Sequence, residues 1–294
     1  MNAPDKLPTP ATHGAAGRST PHESARAQVA GAATYIDDIP EIKGTLFAAP
    51  ITSPVAHGRL RGVDARAALA LPGVRDVLLA RDIPGDPMLA AFAHDEPVFA
   101  LDTVQHVGQV VGLVVADTVM QARRAARQVK LDIEALPAVL TVHDAHARGS
   151  YVLPPVHVTR GDADAALARA PHTLRGAFEV GGQEHFYLEG QISCAVPRES
   201  DTIHVFCSTQ HPTEMQQMVA HALGWRSHQV SVECRRMGGG FGGKESQSAQ
   251  WACLAALLAV KTGHPVKLRL DRDDDMVATG KRHPYQYRWE SAFD

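Results

Sequence analysis

Apolar positions along this chain recur with two spacings, every second residue and every third or fourth, and the switches between them outline strands and helices. The segment TLFAAPITSPVAHGRLRGVD (Thr45–Asp64) predicts a strand, a turn at Ser53 and Pro54, and a second strand carrying Leu60 and Val63. ARAALALPG gives a short helix stopped by Pro72 and Gly73, and VRDVLLARDIPG returns as a strand running into a turn. In HVGQVVGLVVAD, Val107, Val110, Val111, Leu113, Val114 and Val115 leave little polar face, so a buried strand is expected. TVMQARRAARQV then has helical spacing with Thr118 at its start, and KLDIEAL follows as another strand.

The second half begins after an interruption. Gly149, Pro154 and Pro155 break any period between Asp144 and Thr159, which reads as a linker. GDADAALARA predicts a short helix, and two strands flank Gly181 and Gly182. TIHVFCSTQHP is a strand that delivers Ser208, Thr209 and Gln210 at its end. A helix follows, begun by Thr213, with Met215, Met218, Val219 and Leu223 on one side and Gly224 closing it. HQVSVECRR alternates at Val230, Val232 and Cys234, and Ser246–Thr262 places Trp251, Leu254, Ala255, Leu257 and Leu258 at helical spacing before Gly263. PVKLRLD is a further strand, ending in Asp271, and YRWESAFD (Tyr287–Asp294) alternates like an unfinished one with an open edge near Trp289. The expected organisation is α+β: a leader over 1–18, an α/β domain over 19–143, a linker over 144–159 and a second α/β domain over 160–294.

Composition narrows the function classes. A net charge of −3 and an isoelectric point near 6.6 point to neither a nucleic-acid nor a membrane-surface partner. Met1–Arg18, rich in Pro, Ala, Thr and Gly, lacks the order of a secretory signal, so a disordered leader and a cytoplasmic protein are expected. Cys194, Cys207, Cys234 and Cys253 form no CxxC pair, so buried free thiols are expected and no iron–sulfur ligand set. His57, His94 and His106 stand apart, none with a second ligand at metal-site spacing.

The candidate chemistry gathers at RMGGGFGGKE, Arg236–Glu245. Five of the six residues Gly238–Gly243 are glycine, so the backbone there can take positive φ and approach a ligand without Cβ interference. A strand before it and a helix after it would turn free N–H groups toward that ligand. Gly238, Gly240 and Gly243 also satisfy GxGxxG, and Asp271 ends the next strand, which makes a dinucleotide-binding unit a rival. Glu245 stands where a Walker loop needs Ser or Thr, and its carboxylate would repel a phosphate. Gln210 can donate and accept through one amide, which suits a ligand oxygen, or it can bond nearby backbone. Glu245 can face a pocket, or can serve only the dipole of the helix that follows.

RMGGGFGGKE resembles the molybdenum-binding subunit of the xanthine dehydrogenase family, as do STQHP (Ser208–Pro212) and LDRDDDMVATGKRHP (Leu270–Pro284). PHESA (Pro21–Ala25), YIDDIP (Tyr35–Pro40) and GGQEHFYLEGQ (Gly181–Gln191) extend the likeness, in order, from about residue 21 to the end. The resemblance implies a hammerhead domain followed by the first part of a molybdopterin-binding domain. It implies a molybdenum–molybdopterin cofactor with oxo and sulfido ligands, surrounded by Gln210, Gly240, Phe241, Gly242 and Gly243. Gln210 and Phe241 would stand close to the metal without ligating it, and Glu245 would bind and polarise a purine. The implied reaction is oxidative hydroxylation of hypoxanthine and xanthine, with electrons leaving through iron–sulfur and FAD centres on a partner subunit toward NAD or oxygen. Heterodimers that pair further are implied too. Members of the family carry a substrate-binding arginine and a general-base glutamate beyond the region matched here, so a truncated chain, inactive alone, is expected. A non-catalytic remnant of the fold is the alternative from a different class.

Overall fold

The computed structural model describes residues 17–89 and 93–294. The expected leader lies outside the described residues as far as position 16. Residues through Thr34 form one unit, which contains the short helix Ala25–Val29, and Tyr35–Asp294 form the second.

The apolar run at Val110–Ala116 becomes a strand in which every residue is buried. It pairs antiparallel with Leu46–Thr52 on one side and with Val74–Leu79 on the other, so both its edges are satisfied. The helix Val119–Ala126 starts where Thr118 accepts a hydrogen bond from the Gln121 amide at 3.2 Å. Its buried Ala122 and Ala125 pack on these strands, since small residues let helix and sheet approach closely. Gly58–Asp64 pairs with Lys130–Ala135 and with Thr103–Val104 in a separate three-stranded sheet.

The seven-stranded sheet runs in the order Val230–Glu233, Thr202–Cys207, Ile192–Arg198, Val266–Arg269, Leu46–Thr52, Val110–Ala116, Val74–Leu79. The halves meet where Leu46, Phe47 and Ala48 pair in parallel with Val266, Lys267 and Leu268. Residues 19–143 and 160–294 therefore contribute strands to one sheet. The class is α+β, as the alternation of elements predicts.

Two helices cover the sheet beside the glycine loop. Ser248–Thr262 is buried at eleven positions, Trp251 and Leu254 among them, and packs on Ile192–Arg198, on Val266–Arg269 and against the helix Pro212–Leu223. Gly224 and Gly263, at φ 67° and 69°, end the two helices in the left-handed conformation that glycine adopts without strain.

Three local expectations need correction. The helix expected from Ser246 begins at Ser248, because Lys244–Gln247 are still turning out of the loop. The helix expected from Thr213 begins at Pro212 after His211; proline at the first helical position has no N–H to satisfy, so a threonine cap is not needed. The stretch 144–159 is irregular only after the helix Val142–Ala147, whose cap is Thr141, accepting from the Asp144 amide at 3.0 Å. At the end of the chain, Tyr285–Phe293 pairs antiparallel with His172–Val180 in a two-stranded ribbon. Among the described residues no helix is long and apolar enough to cross a membrane. All four cysteines are free, and burial pushes the Cys207 thiol up to about 12, which keeps it protonated and inert.

Candidate functional site

The strand Thr202–Cys207 ends in Ser208, Thr209 and Gln210, and the glycine loop folds over that end. The backbone N–H of Gln210 donates to the Lys244 carbonyl at 2.8 Å. In return, the Gln210 side-chain Oε1 accepts from the amides of Gly242 at 3.0 Å and Lys244 at 3.2 Å. Both partners are donors, so the orientation of this carboxamide is fixed by its neighbours. Its Nε2 group is directed away from those bonds and remains a donor. The two sequence-predicted features, Gln210 and the loop, are thus bonded to one another.

Glycine is required here for reasons that differ by position. A Cβ on Gly240 would lie 2.5 Å from Gln210 Oε1, and one on Gly238 would lie 2.5 Å from the Glu189 Cβ. A Cβ on Gly243 would meet the Tyr187 ring at 2.7 Å and His185 at 2.8 Å. Gly242 is different: it stands at φ 88° with open space where a side chain would be. Phe241 adopts φ 51°, uncommon for a bulky residue, and its side chain is 77% exposed. The Gly243 amide closes the turn on the Gly240 carbonyl at 2.7 Å. Among the described residues, no protein group accepts from the amides of Gly240 and Phe241. Among the described residues the loop therefore carries two amides with no protein acceptor, an exposed ring at Phe241 and open space at Gly242.

Glu245 is exposed, three residues ahead of the helix, so it lies in the turn and not in the first helical turn. That removes the reading in which it serves only the helix dipole from within the helix.

Beneath the loop lies a set of buried polar residues to which the sequence reading gave no role. Lys244 is completely buried. Its Nζ donates to the Glu189 carbonyl at 2.6 Å and to Ser208 Oγ at 2.8 Å, and lies 3.4 Å from Glu189 Oε2. Burial holds the Lys244 ammonium below the usual lysine range, while the Glu189 carboxylate opposes that shift. Glu189 Oε2 also accepts from the Gly238 amide at 2.8 Å and from Ser208 Oγ at 2.5 Å. Gln191 Nε2 donates to the Gly243 carbonyl at 2.9 Å and to Tyr187 Oη at 3.1 Å. Tyr187 in turn donates to the buried Asp275 at 2.6 Å; burial first, and this carboxylate second, raise its phenol well above the ordinary value. Tyr187, Glu189 and Gln191 sit in GGQEHFYLEGQ and Asp275 in DRDDDM, and the signal that could have exposed them is a run of polar residues inside otherwise structured segments.

The dinucleotide alternative loses its parts. Fourteen residues, 234–247, separate the strand Val230–Glu233 from the helix, so the glycines do not form the short turn of a dinucleotide fingerprint. The strands Val230–Glu233 and Val266–Arg269 have two others between them in the sheet. Asp271 caps the helix Arg272–Ala278 by accepting from the Asp274 amide at 2.9 Å, and it pairs with Arg123 at 2.5 Å. Both its oxygens are engaged. Cavities of about 560 and 460 Å³ open elsewhere, one beside Arg75, Asp117 and Lys261 and one beside Pro50, Arg123 and Asp271, neither touching the loop. Among the described residues no cluster of His, Cys, Asp and Glu could hold a metal ion directly.

Comparison with known proteins fits this arrangement. Residues 142–294 match the molybdopterin cofactor-binding domain, and residues 30–137 match the a/b hammerhead domain of aldehyde oxidase and xanthine dehydrogenase. Xanthine dehydrogenase of Drosophila subobscura is 43% identical over 280 residues, which cover 94% of this chain and 21% of that protein. Xanthine dehydrogenase/oxidase of Mus musculus is 42% identical over 278 residues, again 94% of this chain and 21% of the relative. The chain thus spans about a fifth of the length of these curated relatives. Among solved structures, aldehyde oxidoreductase from Desulfovibrio gigas superposes with a TM-score of 0.84 at 28% identity, covering 92% of this chain and 32% of that one. Quinoline 2-oxidoreductase from Pseudomonas putida 86 gives 0.82 at 26% identity, covering 94% and 37%.

Proposed function

This chain belongs to the molybdopterin cofactor-binding domain family, with an aldehyde oxidase and xanthine dehydrogenase hammerhead domain ahead of it, and on that premise we propose that it is the cofactor-contacting part of a xanthine dehydrogenase. The observation that carries this reading is the fixed carboxamide of Gln210. Two loop amides hold its Oε1, so its Nε2 is left to donate to an oxygen of a group seated on the loop. The open space beside Gly242 and the amides of Gly240 and Phe241, which have no protein acceptor, fit the same group, a molybdopterin centre. Such a centre, when bound, supplies two-electron oxidation coupled to oxygen transfer.

The protein's own part is position and polarity. Gln210 Nε2 and the free loop amides would donate to oxygens of such a cofactor, with the exposed Phe241 ring beside them on the loop. Gly243 leaves room for Tyr187 and His185 beneath, which keeps the loop pressed on its support. Glu245, exposed beside the loop, accepts from an N–H of a purine and steadies charge that develops on the ring. The substrates on this reading are hypoxanthine and xanthine, a preference that rests on the carboxylate of Glu245. Iron–sulfur and FAD centres lie on other polypeptide and carry electrons toward NAD.

Purified full-length protein is the test. Molybdenum by elemental analysis and pterin by fluorescence are expected in equal amounts, with urate formed from xanthine. Protein free of molybdenum and pterin that retains NAD would overturn the reading in favour of a nucleotide site.

A further inference from the structure

Lys244 and Glu189 form the charged pair beneath the loop, at 3.4 Å, with the lysine wholly buried. Burying such a pair is an expensive way to gain stability, since desolvation offsets most of the attraction and an apolar pair of the same volume does as well or better. What this pair has, and an apolar pair would lack, is a set of directed bonds. Glu189 Oε2 takes the amide of Gly238, where the loop begins. Lys244, where the loop ends, reaches the Glu189 carbonyl and Ser208 Oγ through its Nζ. Its main chain carries further ties: the Lys244 carbonyl accepts from the Gln210 amide, from Thr209 Oγ1 at 3.0 Å and from Ser248 Oγ at 3.1 Å, and the Lys244 amide shares Gln210 Oε1 with Gly242. Entry, exit and the Gln210 carboxamide are therefore referred to one buried point.

We propose that Lys244 and Glu189 are positioning residues, a buried clamp that sets the distance between the two ends of the glycine loop and so fixes where Gln210 and the free loop amides stand. The clamp rests on the reading of the loop as the cofactor site only for its purpose; its mechanical part concerns this chain alone. Removing one partner leaves the other buried without a counter-charge, and the loop must then open to let water reach it. Removing both charges with side chains of similar length restores balance: methionine fills the lysine channel, and glutamine still accepts from the Gly238 amide.

The test compares full-length protein carrying Lys244→Met, Glu189→Gln, or both, with two readouts. The first is hydrogen exchange of the segment 236–247 in cofactor-free protein, where the Gly242 and Lys244 amides should exchange at least tenfold faster in Lys244→Met and recover in the double variant. The second is molybdenum and pterin content, expected to fall at least tenfold in the single variant and to return to within about twofold in the double. If Lys244→Met does not yield soluble protein, Glu189→Gln with and without Lys244→Met answers the same question. Unchanged exchange in the single variant, or no recovery in the double, overturns the clamp. Faster exchange with molybdenum and pterin intact upholds the clamp and faults the cofactor reading of the loop, so the two failures are told apart.

Discussion

The strand Val110–Ala116 and the glycine loop Gly238–Gly243 are held in place by opposite means. The strand has both edges paired and all seven residues buried, and its neighbours are apolar. Its position depends on volume and on the backbone ladder, so many side chains of similar size would keep it there. The loop has almost no side chains of its own. It is held by directed bonds from distant residues: Gln210, Glu189 and Gln191 reach Gly242, Gly238 and Gly243 respectively. An apolar support tolerates small displacements, whereas a hydrogen bond weakens steeply with distance and angle. The difference teaches where tolerance ends: the sheet keeps the chain folded, and the polar layer beneath the loop fixes the loop's shape.

The sharpest way to break this comparison is Gly242→Val. Gly242 stands at φ 88°, where valine is a steric outlier, and the new side chain would fill the space left open above the loop. The strain costs about 1–3 kcal/mol of folding stability. In the complete enzyme the expected outcome is loss of molybdenum and pterin from otherwise folded protein. Full cofactor content in this variant would make the loop a structural turn.

Trp251→Ala tests the other side. Trp251 is buried among apolar neighbours in the helix that packs on Ile192–Arg198. Its truncation should cost about 3–5 kcal/mol, read by urea denaturation of the full-length protein. Cofactor per folded molecule should stay unchanged. A selective loss of cofactor with little loss of stability would erase the distinction between support and site.

Glu245→Gln comes next in size. A hydrogen bond to a charged group is worth about 1.5–3 kcal/mol, so kcat/KM for xanthine should fall roughly 10- to 100-fold with molybdenum content intact. Unchanged kinetics with purines would remove Glu245 from the substrate site.

The same contrast explains what the sequence made legible. Val110–Ala116 and the helix Ser248–Thr262 could be read from periodicity because burial of apolar side chains is a local property of the pattern. Gln210 and the glycines were visible because a strand end and a glycine run are local too. The segment Phe186–Gln191 shows the limit. Phe186 and Leu188 point outward, 60% and 87% exposed, while Tyr187 and Gln191 are buried and Glu189 is nearly so. Hydrophobicity assigns the opposite faces. The inversion arises because Tyr187, Glu189 and Gln191 bond to Asp275, Lys244 and the Gly243 carbonyl, partners 88, 55 and 52 positions away. No window along the chain contains both ends of those bonds, so only the folded structure reveals them.

Asp271 gives the smallest effect and the finest discrimination. The sequence puts it at the end of the strand after a GxGxxG run, the place of a carboxylate that binds the ribose of a dinucleotide. The structure gives both its oxygens other work, one accepting from the Asp274 amide and one paired with Arg123. Asp271→Asn keeps an acceptor for the cap and removes only the charge. The Arg123 pair is partly open to water, with Asp271 41% exposed, so screening limits its value to roughly 0.2–1 kcal/mol. The expected outcome is a loss of stability within that range, with molybdenum content, pterin content and affinity for NAD all unaltered in the full-length protein. A dinucleotide site on the glycine loop predicts something else, because a carboxylate that accepts from ribose hydroxyls contributes about 1.5–3 kcal/mol to binding. Isothermal titration with NAD would then show a fall of ten-fold or more on substitution. A cap, by contrast, has no ligand to lose.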